Sequence, residues 1–144
     1  MKPLPRSDQA MVLRTDFSDE AAWQAIRSAI GAPVREFGSA IDFVAYVTFV
    51  DDPDYRDLDI GQIQALFGPE SNHSFVIVVD RTAITHPDHA VLILDLFEAS
   101  GQTFRAVPST VQSIENNLSI ANMDFEEFAD AADADGVFRG FPRF

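Results

Sequence analysis

Apolar and polar positions follow two patterns along the chain: apolar runs of strand length and stripes of helical spacing. Five runs predict strands, at Met11–Asp16, Phe43–Val50, Phe75–Val79, Val91–Phe97 and Thr103–Val107. The second and third runs are apolar at successive positions, which is typical of strands covered on both faces. We therefore expect both of these strands to lie inside a sheet, between layers of helices.

Four helices are predicted between and after the strands. Each begins at residues with a strong preference for helix N-termini: Ser18, Asp59, Ser109 with Gln112, and either Asn122 or Asp124. The order β-α-β-α-β-β-β-α-α predicts an α/β fold, a three-layer sandwich with a mixed five-stranded sheet and two helices on each face. The first three strands should be parallel and the last two an antiparallel pair around a turn at 98–102.

Two charged residues inside strands bear on the strand order. Arg14 and Arg105 favour edge positions for the first and fifth strands.

The 144 residues form one domain, in which residues 1–9 are a short N-terminal arm. The 13 phenylalanines predict an aromatic core, with five rings largely buried: Trp23, Phe49, Phe75, Phe125 and Phe128. The tail VFRGFPRF should pack onto this body.

The net charge restricts the classes of partner that the chain can bind, and the absence of cysteine restricts its chemistry. The net charge of −13 disfavours binding to nucleic acid and to anionic membranes, whereas a basic protein partner or a metal cation remains compatible. The alternative is that the charge only keeps the protein soluble. The absence of cysteine excludes a disulfide framework and a thiolate nucleophile. The N-terminus lacks the apolar region of a signal peptide, so we expect a cytoplasmic protein. The sequence predicts no particular oligomeric state.

Acids follow the three strands that we expect to be parallel. These are Asp16, Asp51, Asp52 and Asp80, and they are called the strand-end acids below; Arg81 follows the last. Ligands of open α/β sheets bind outside the carboxyl ends of the strands. If these carboxylates converge there, they would favour the binding of Mg2+, and Arg81 would hold a phosphate group of the ligand. We favour the alternative, in which Asp16 and Asp80 lie at the same edge of the sheet and cap or brace local backbone.

A second acidic group lies near the C-terminus. Its members are Asp124, Glu126, Glu127, Asp130, Asp133 and Asp135, with no basic residue among them. This segment is a candidate surface for docking a basic protein, or else an ordinary solvated face. The stretch 130–136 does not match a calcium-binding loop, because its ligand positions are wrong.

Three further polar groups have two interpretations each. Asp95 lies in the apolar run VLILDLF, so it should pair with a base such as Arg105 or have a raised pKa. Residues 115–117, with Asn122, form either a recognition face or a solvated face of a helix. His86, Asp88 and His89, with His73, are either transition-metal ligands or parts of polar loops.

Four segments resemble a known family: LRTDFSDEAAW, FVDDPDYRDL, HSFVIVVDRTA and NNLSIANMDFEEFADAADADGVFRGF. The chain is similar over nearly its whole length to a domain of unknown function found in small acidic proteins, mainly of actinobacteria. The resemblance implies a single bacterial cytosolic domain. It implies no activity and no catalytic residues.

From the residues we predict a non-enzymatic binding or regulatory protein that acts through protein contacts and needs no cofactor. An antitoxin or immunity-type role fits its acidity. The alternative is a hydrolase or phosphoryl-transfer enzyme that uses Mg2+ at the strand-end acids.

Overall fold

The computed structural model describes residues 2–35, 41–97 and 100–141. Within these ranges there are eight strands: β1 (Ala10–Arg14), β2 (Val34–Arg35), β3 (Asp42–Phe43), β4 (Val47–Val50), β5 (Phe75–Val79), β6 (Val91–Asp95), β7 (Thr103–Ala106) and β8 (Val137–Phe138). The α-helices of the same ranges are α1 (Glu20–Gly31), α2 (Ile60–Leu66), α3 (Arg81–Thr85), α4 (Val111–Ser119) and α5 (Phe125–Asp130). Short 3-10 turns lie at Pro53–Tyr55 and Pro108–Thr110.

The central sheet is mixed, as predicted, but it has six strands in the order β4-β1-β5-β6-β7-β8. β1 is parallel to both β4 and β5, and β5, β6 and β7 are antiparallel neighbours. The predicted parallel and antiparallel groups are therefore confirmed. The sixth strand is β8, which pairs in parallel with β7. It consists of two residues, too short for an apolar run to reveal it.

Helices cover both faces of the sheet, which gives three layers. Alternate residues of β1 enter opposite cores: Val12 belongs to the core that contains Trp23 of α1, and Leu13 to the core that contains Ile63 of α2. The predicted distribution of two helices on each face of the sheet is wrong. The buried residues of α1, α3, α4 and α5 join the first core, and α2 is the only α-helix of the described residues that contributes to the second. The second face is completed by Tyr55 and the arm residue Leu4.

The predicted strand Phe43–Val50 is divided in two. β3 pairs with β2 in a separate two-stranded sheet, and β4 is an edge of the main sheet. The break has a tertiary cause: Glu115 of α4 accepts a hydrogen bond from the Tyr46 N–H at 2.6 Å, and Asn116 donates to the Val44 carbonyl at 3.0 Å. These bonds hold residues 44–46 away from the sheet. The interior position predicted for this strand was wrong.

The edge positions predicted from Arg14 and Arg105 were also wrong. β1 lies between β4 and β5, and β7 lies between β6 and β8. Both guanidinium groups find carboxylate partners near the strand ends, so charge inside a central strand is tolerated. β5 is interior, as predicted, and all five of its residues are buried.

Helix caps agree with the sequence in two cases. Asp59 forms a capping box with Gln62, and Asp124 is the N-cap of α5. Ser18 does not cap α1; Asp19 does, through the Ala22 N–H at 3.0 Å. The predicted capping box of Ser109 and Gln112 is absent from α4, whose N-cap is Thr110 after a 3-10 turn.

The aromatic core is confirmed for Trp23, Phe75, Phe125 and Phe128, whereas Phe49 is half-buried because it lies on the edge strand. In the tail, Phe138 is buried and Phe141 packs against Phe128 and Phe138. Residues 98 and 99 of the predicted hairpin turn and residues 142–144 of the tail lie outside the described ranges.

Candidate functional site

Asp16 follows β1 by two residues and is buried. Its Oδ1 accepts hydrogen bonds from the Ser18 hydroxyl and from the Ser18 N–H, the latter at 3.0 Å. Burial alone raises the pKa of Asp16, but the bonds from Ser18 and the charges of Arg81 and Arg14 outweigh it and lower the pKa. Ser18 therefore stabilises the Asp16 carboxylate and not the helix end.

Asp51 follows β4 and binds Arg14, whose side chain is only 3% exposed. The Arg14 guanidinium donates to Asp51 at 3.0 Å, to Glu20 at 2.9 Å and to the Asp16 carbonyl at 3.1 Å. It also lies over the ring of Phe17, 4.2 Å from the centroid. The bonds of Glu20 to Gln24 and Arg14 lower the pKa of Glu20. Arg14 thus ties β1, β4 and α1 together.

Asp80 follows β5 and has two roles. Its Oδ1 accepts the Ala83 N–H at 3.0 Å and so caps α3. Both of its oxygens also bind the Arg105 guanidinium, at 3.0 and 2.7 Å. Asp80 and Asp16 lie at the same edge of the sheet, since Thr15 donates its N–H to the Val79 carbonyl at 3.0 Å.

Asp52 and Arg81 complete the predicted set. Asp52 caps the 3-10 turn through the Asp54 N–H and pairs with Lys2, whose hydrogen bond lowers the pKa of Asp52. Arg81 is exposed and forms no ion pair with the described residues. The structure therefore gathers Asp16, Asp51 and Asp80 at one edge, but each carboxylate is engaged by its own donors.

The histidines are separated into different environments. His86 Nδ1 accepts the Asp88 N–H at 3.0 Å, and His89 Nδ1 lies 3.1 Å from the Ala83 carbonyl. His73 packs edge-on against Phe67. Within residues 2–35, 41–97 and 100–141, the His, Asp and Glu side chains form no group of three that could hold a metal ion.

The C-terminal acidic segment is divided by Arg139, which follows it in the chain. All six predicted acids are exposed. Arg139 binds Asp133, Asp135 and Asp88, and the hydrogen bonds that it donates to Asp135 and Asp133 raise its pKa. The remaining four, Asp124, Glu126, Glu127 and Asp130, have no ion pair among the described residues. The unneutralised charge is thus concentrated on α5.

The amino-terminal end of α5 borders a groove of about 570 Å³. Its lining combines apolar, polar and acidic side chains: Ser74, Asp95, Phe97, Ser100, Leu118, Ala121, Met123, Asp124, Phe125 and Glu126. These residues are called the acidic groove below. The groove lies at the opposite edge of the sheet from Asp80, because Asp95 is paired with Phe75 at the start of β5.

Asp95 does not pair with Arg105, so that prediction was wrong. Arg105 binds Asp80 and the Ala90 carbonyl instead. Asp95 is 6% exposed and accepts the Phe97 N–H at 3.1 Å and the Ser100 hydroxyl at 2.6 Å. Among the described residues it has no cationic partner.

The expectation for the polar face of α4 also changes. Glu115 and Asn116 do not form a solvated or recognition face, because Glu115 is buried and both bind the backbone of residues 44–46. Sequence reasoning missed Phe97, Ser100 and Met123 as lining residues of one groove. No local pattern marks them, since they come from a strand end, a turn and the loop before α5.

The sequence model of one protein family, a domain of unknown function called DUF6924, matches residues 9–141. The chain therefore belongs to that family. No curated protein matches the chain. In the part of the chain that the structure describes, no helix is long and apolar enough to cross a membrane.

Proposed function

We propose that this member of the DUF6924 family is a non-enzymatic binding protein whose acidic groove receives a basic and apolar segment of a partner protein. The observation that carries the proposal is the composition of the groove. Phe97, Met123 and Phe125 line it together with Asp124 and Glu126, and these two acids have no ion pair among the described residues. We propose the cytoplasm as its location.

The exposure of Phe97 supports binding to a protein segment. Phe97 is 65% exposed, which is a large unburied area for an aromatic side chain. It also lines a neighbouring groove of about 700 Å³, with Phe67, Pro69 and Leu96. Two grooves that share one exposed aromatic ring suit an extended segment that places apolar side chains on both sides of it.

The charge of the groove supports a basic partner. Asp124 and Glu126 lie on its rim, and Glu127 and Asp130 extend the negative surface along α5. Opposite charges across an interface steer the encounter and fix the orientation of the partner. The strand-end acids do not offer a comparable surface, because Arg14, Arg105, Lys2 and Ser18 already engage them. We propose no metal-dependent activity for them.

A photo-crosslinking experiment tests this proposal. p-Benzoylphenylalanine replaces Phe97 in one variant and Tyr46, an exposed aromatic residue on the β3–β4 connection, in the control. In the source organism, position 97 should crosslink to a protein segment rich in basic and apolar residues. Adding Asp124→Asn and Glu126→Gln should abolish this product, whereas Asp130→Asn should retain it. Asn is also a good N-cap, so α5 should remain folded.

Two results would contradict the proposal. One is the same set of products from positions 97 and 46. The other is the absence of any protein product from position 97.

A further inference from the structure

We infer that Asp95 binds the guanidinium group of an arginine in the partner segment, and that this contact determines which segments the acidic groove accepts. The inference rests on the proposed function and specifies its partner. Asp95 lines the groove although it is only 6% exposed. A carboxylate removed from water to this extent is costly without a cation, and the described residues supply none.

The hydrogen bonds of Asp95 leave acceptor capacity on both oxygens. Oδ1 accepts one bond, from the Phe97 N–H, and Oδ2 accepts one, from the Ser100 hydroxyl. Each carboxylate oxygen can accept about two. Counted over the described residues, one position therefore remains on each oxygen, and the two parallel N–H groups of a guanidinium fit such a pair. The single ammonium of lysine does not match it as well.

The same chain contains a pair of this kind. Asp80 accepts a backbone N–H from Ala83 and also binds Arg105 through both oxygens, at 3.0 and 2.7 Å. A carboxylate that is already held by local donors can therefore take a bidentate guanidinium in this fold. Asp95 has the corresponding local donors, but no arginine among the described residues binds it.

The aromatic rings of the groove favour the same ligand. The exposed ring of Phe97 lines it with Asp95, and a planar guanidinium stacks on aromatic faces. Arg14 over Phe17 shows such a stack elsewhere in the molecule. An arginine flanked by apolar residues would thus place its charge on Asp95 and its neighbours on the rings.

The test titrates three peptides into the 15N-labelled chain. Binding is measured from the changes in the chemical shifts of the backbone amides. The probes are acetyl-Ala-Leu-Arg-Leu-Ala-amide and the same peptide with lysine or with neutral citrulline in place of arginine. The arginine peptide should shift the amides of Phe97, Ser100 and Phe125 and bind on the order of tenfold more tightly than the citrulline peptide. Lysine should be intermediate.

Variants assign the preference to one carboxylate. Asp95→Asn should remove the difference between arginine and citrulline, whereas Asp130→Asn, which removes the same charge outside the groove, should keep it. Equal binding of arginine and citrulline to the wild-type chain, or no shift in the groove amides with either, overturns the inference without using any variant. A preference that survives in Asp95→Asn also overturns it. In each of these cases crosslinking at position 97 still decides the proposed function separately.

Discussion

Carboxylates lie at both ends of the strands of the central sheet, but their partners differ. The first edge is the end at which β1, β4 and β5 finish, and the second edge is the opposite end, beside the acidic groove. At one edge, Asp51 binds Arg14 from the adjacent strand β1, and Asp80 binds Arg105 from β7, two strands away. At the other, Asp95 and the acids at the start of α5 have no cation among the described residues. Ion pairs thus brace the carboxylates at the first edge, and we propose that the second edge is available to a partner.

The largest effect should come from Asp80→Asn. The new amide would present an N–H2 donor to the donors of Arg105, so the bidentate pair is lost while the side chain keeps its shape. We expect the free energy of unfolding to fall by about 2–3 kcal/mol, measured by urea denaturation. Asp42→Asn, at an exposed pair with Arg35, is the matched control and should cost at most about 1 kcal/mol. Similar losses in the two variants would remove the basis for calling the first edge structural.

Arg14→Met should have the next largest effect. Methionine keeps the apolar stem in the core but removes the bonds to Asp51, Glu20 and the Asp16 carbonyl. Because both carboxylates retain access to water, the expected loss is about 1–2 kcal/mol in the same assay. Arg35→Met at the exposed pair is the control. An Arg14→Met protein as stable as wild type would show that the sheet does not depend on this guanidinium.

Acid titration should reveal the contribution of Asp16. Its pKa is lowered in the folded state, so its ionised form stabilises the fold above its ordinary pKa. This contribution, about 1 kcal/mol, is lost as the pH falls below about 4. The difference in unfolding midpoint between wild type and Asp16→Asn should thus be largest at pH 5 to 7 and shrink at lower pH. A difference that stays constant through acid pH would contradict this assignment.

The smallest effect should come from the same substitution in the groove, Asp95→Asn. Its oxygen can still accept the Phe97 N–H, and its amide can donate to the Ser100 hydroxyl. No cationic partner within the described residues is lost and the cost of the buried charge is removed, so stability should fall by no more than about 0.5 kcal/mol in the urea assay, or rise. A loss as large as that of Asp80→Asn would mean that Asp95 is also structural, and the contrast between the two edges would fail.

Much of the fold could be predicted because its signals are local. Continuous apolar runs predicted β1, β5, β6 and β7, and Asp59 predicted the start of α2. The placement of Asp16 and Asp80 at one edge followed from parallel strands that both end in an acid. These features depend on neighbouring residues and on strand direction, and both can be inferred from the order of residues along the chain.

The acidic surface was predicted only in outline. Asp124 and Glu126 were among its expected residues, but the sequence does not indicate that Arg139 binds Asp133 and Asp135 and leaves α5 unneutralised. Nor does it indicate that Asp95 lies beside them, since Arg105 was its expected partner. The distinction between a braced and an unpaired carboxylate depends on which base reaches it in space.

The sequence by itself determined the class of fold, most of the buried segments and the strongly negative charge. Tertiary structure decided the strand order, the break before β4 and the formation of the acidic groove. The physical reason is that burial periodicity is set within a few residues, whereas the decisive polar contacts join distant ones. Glu115 holds Tyr46 across 69 positions, Arg14 reaches Asp51 across 37 and Arg105 reaches Asp80 across 25.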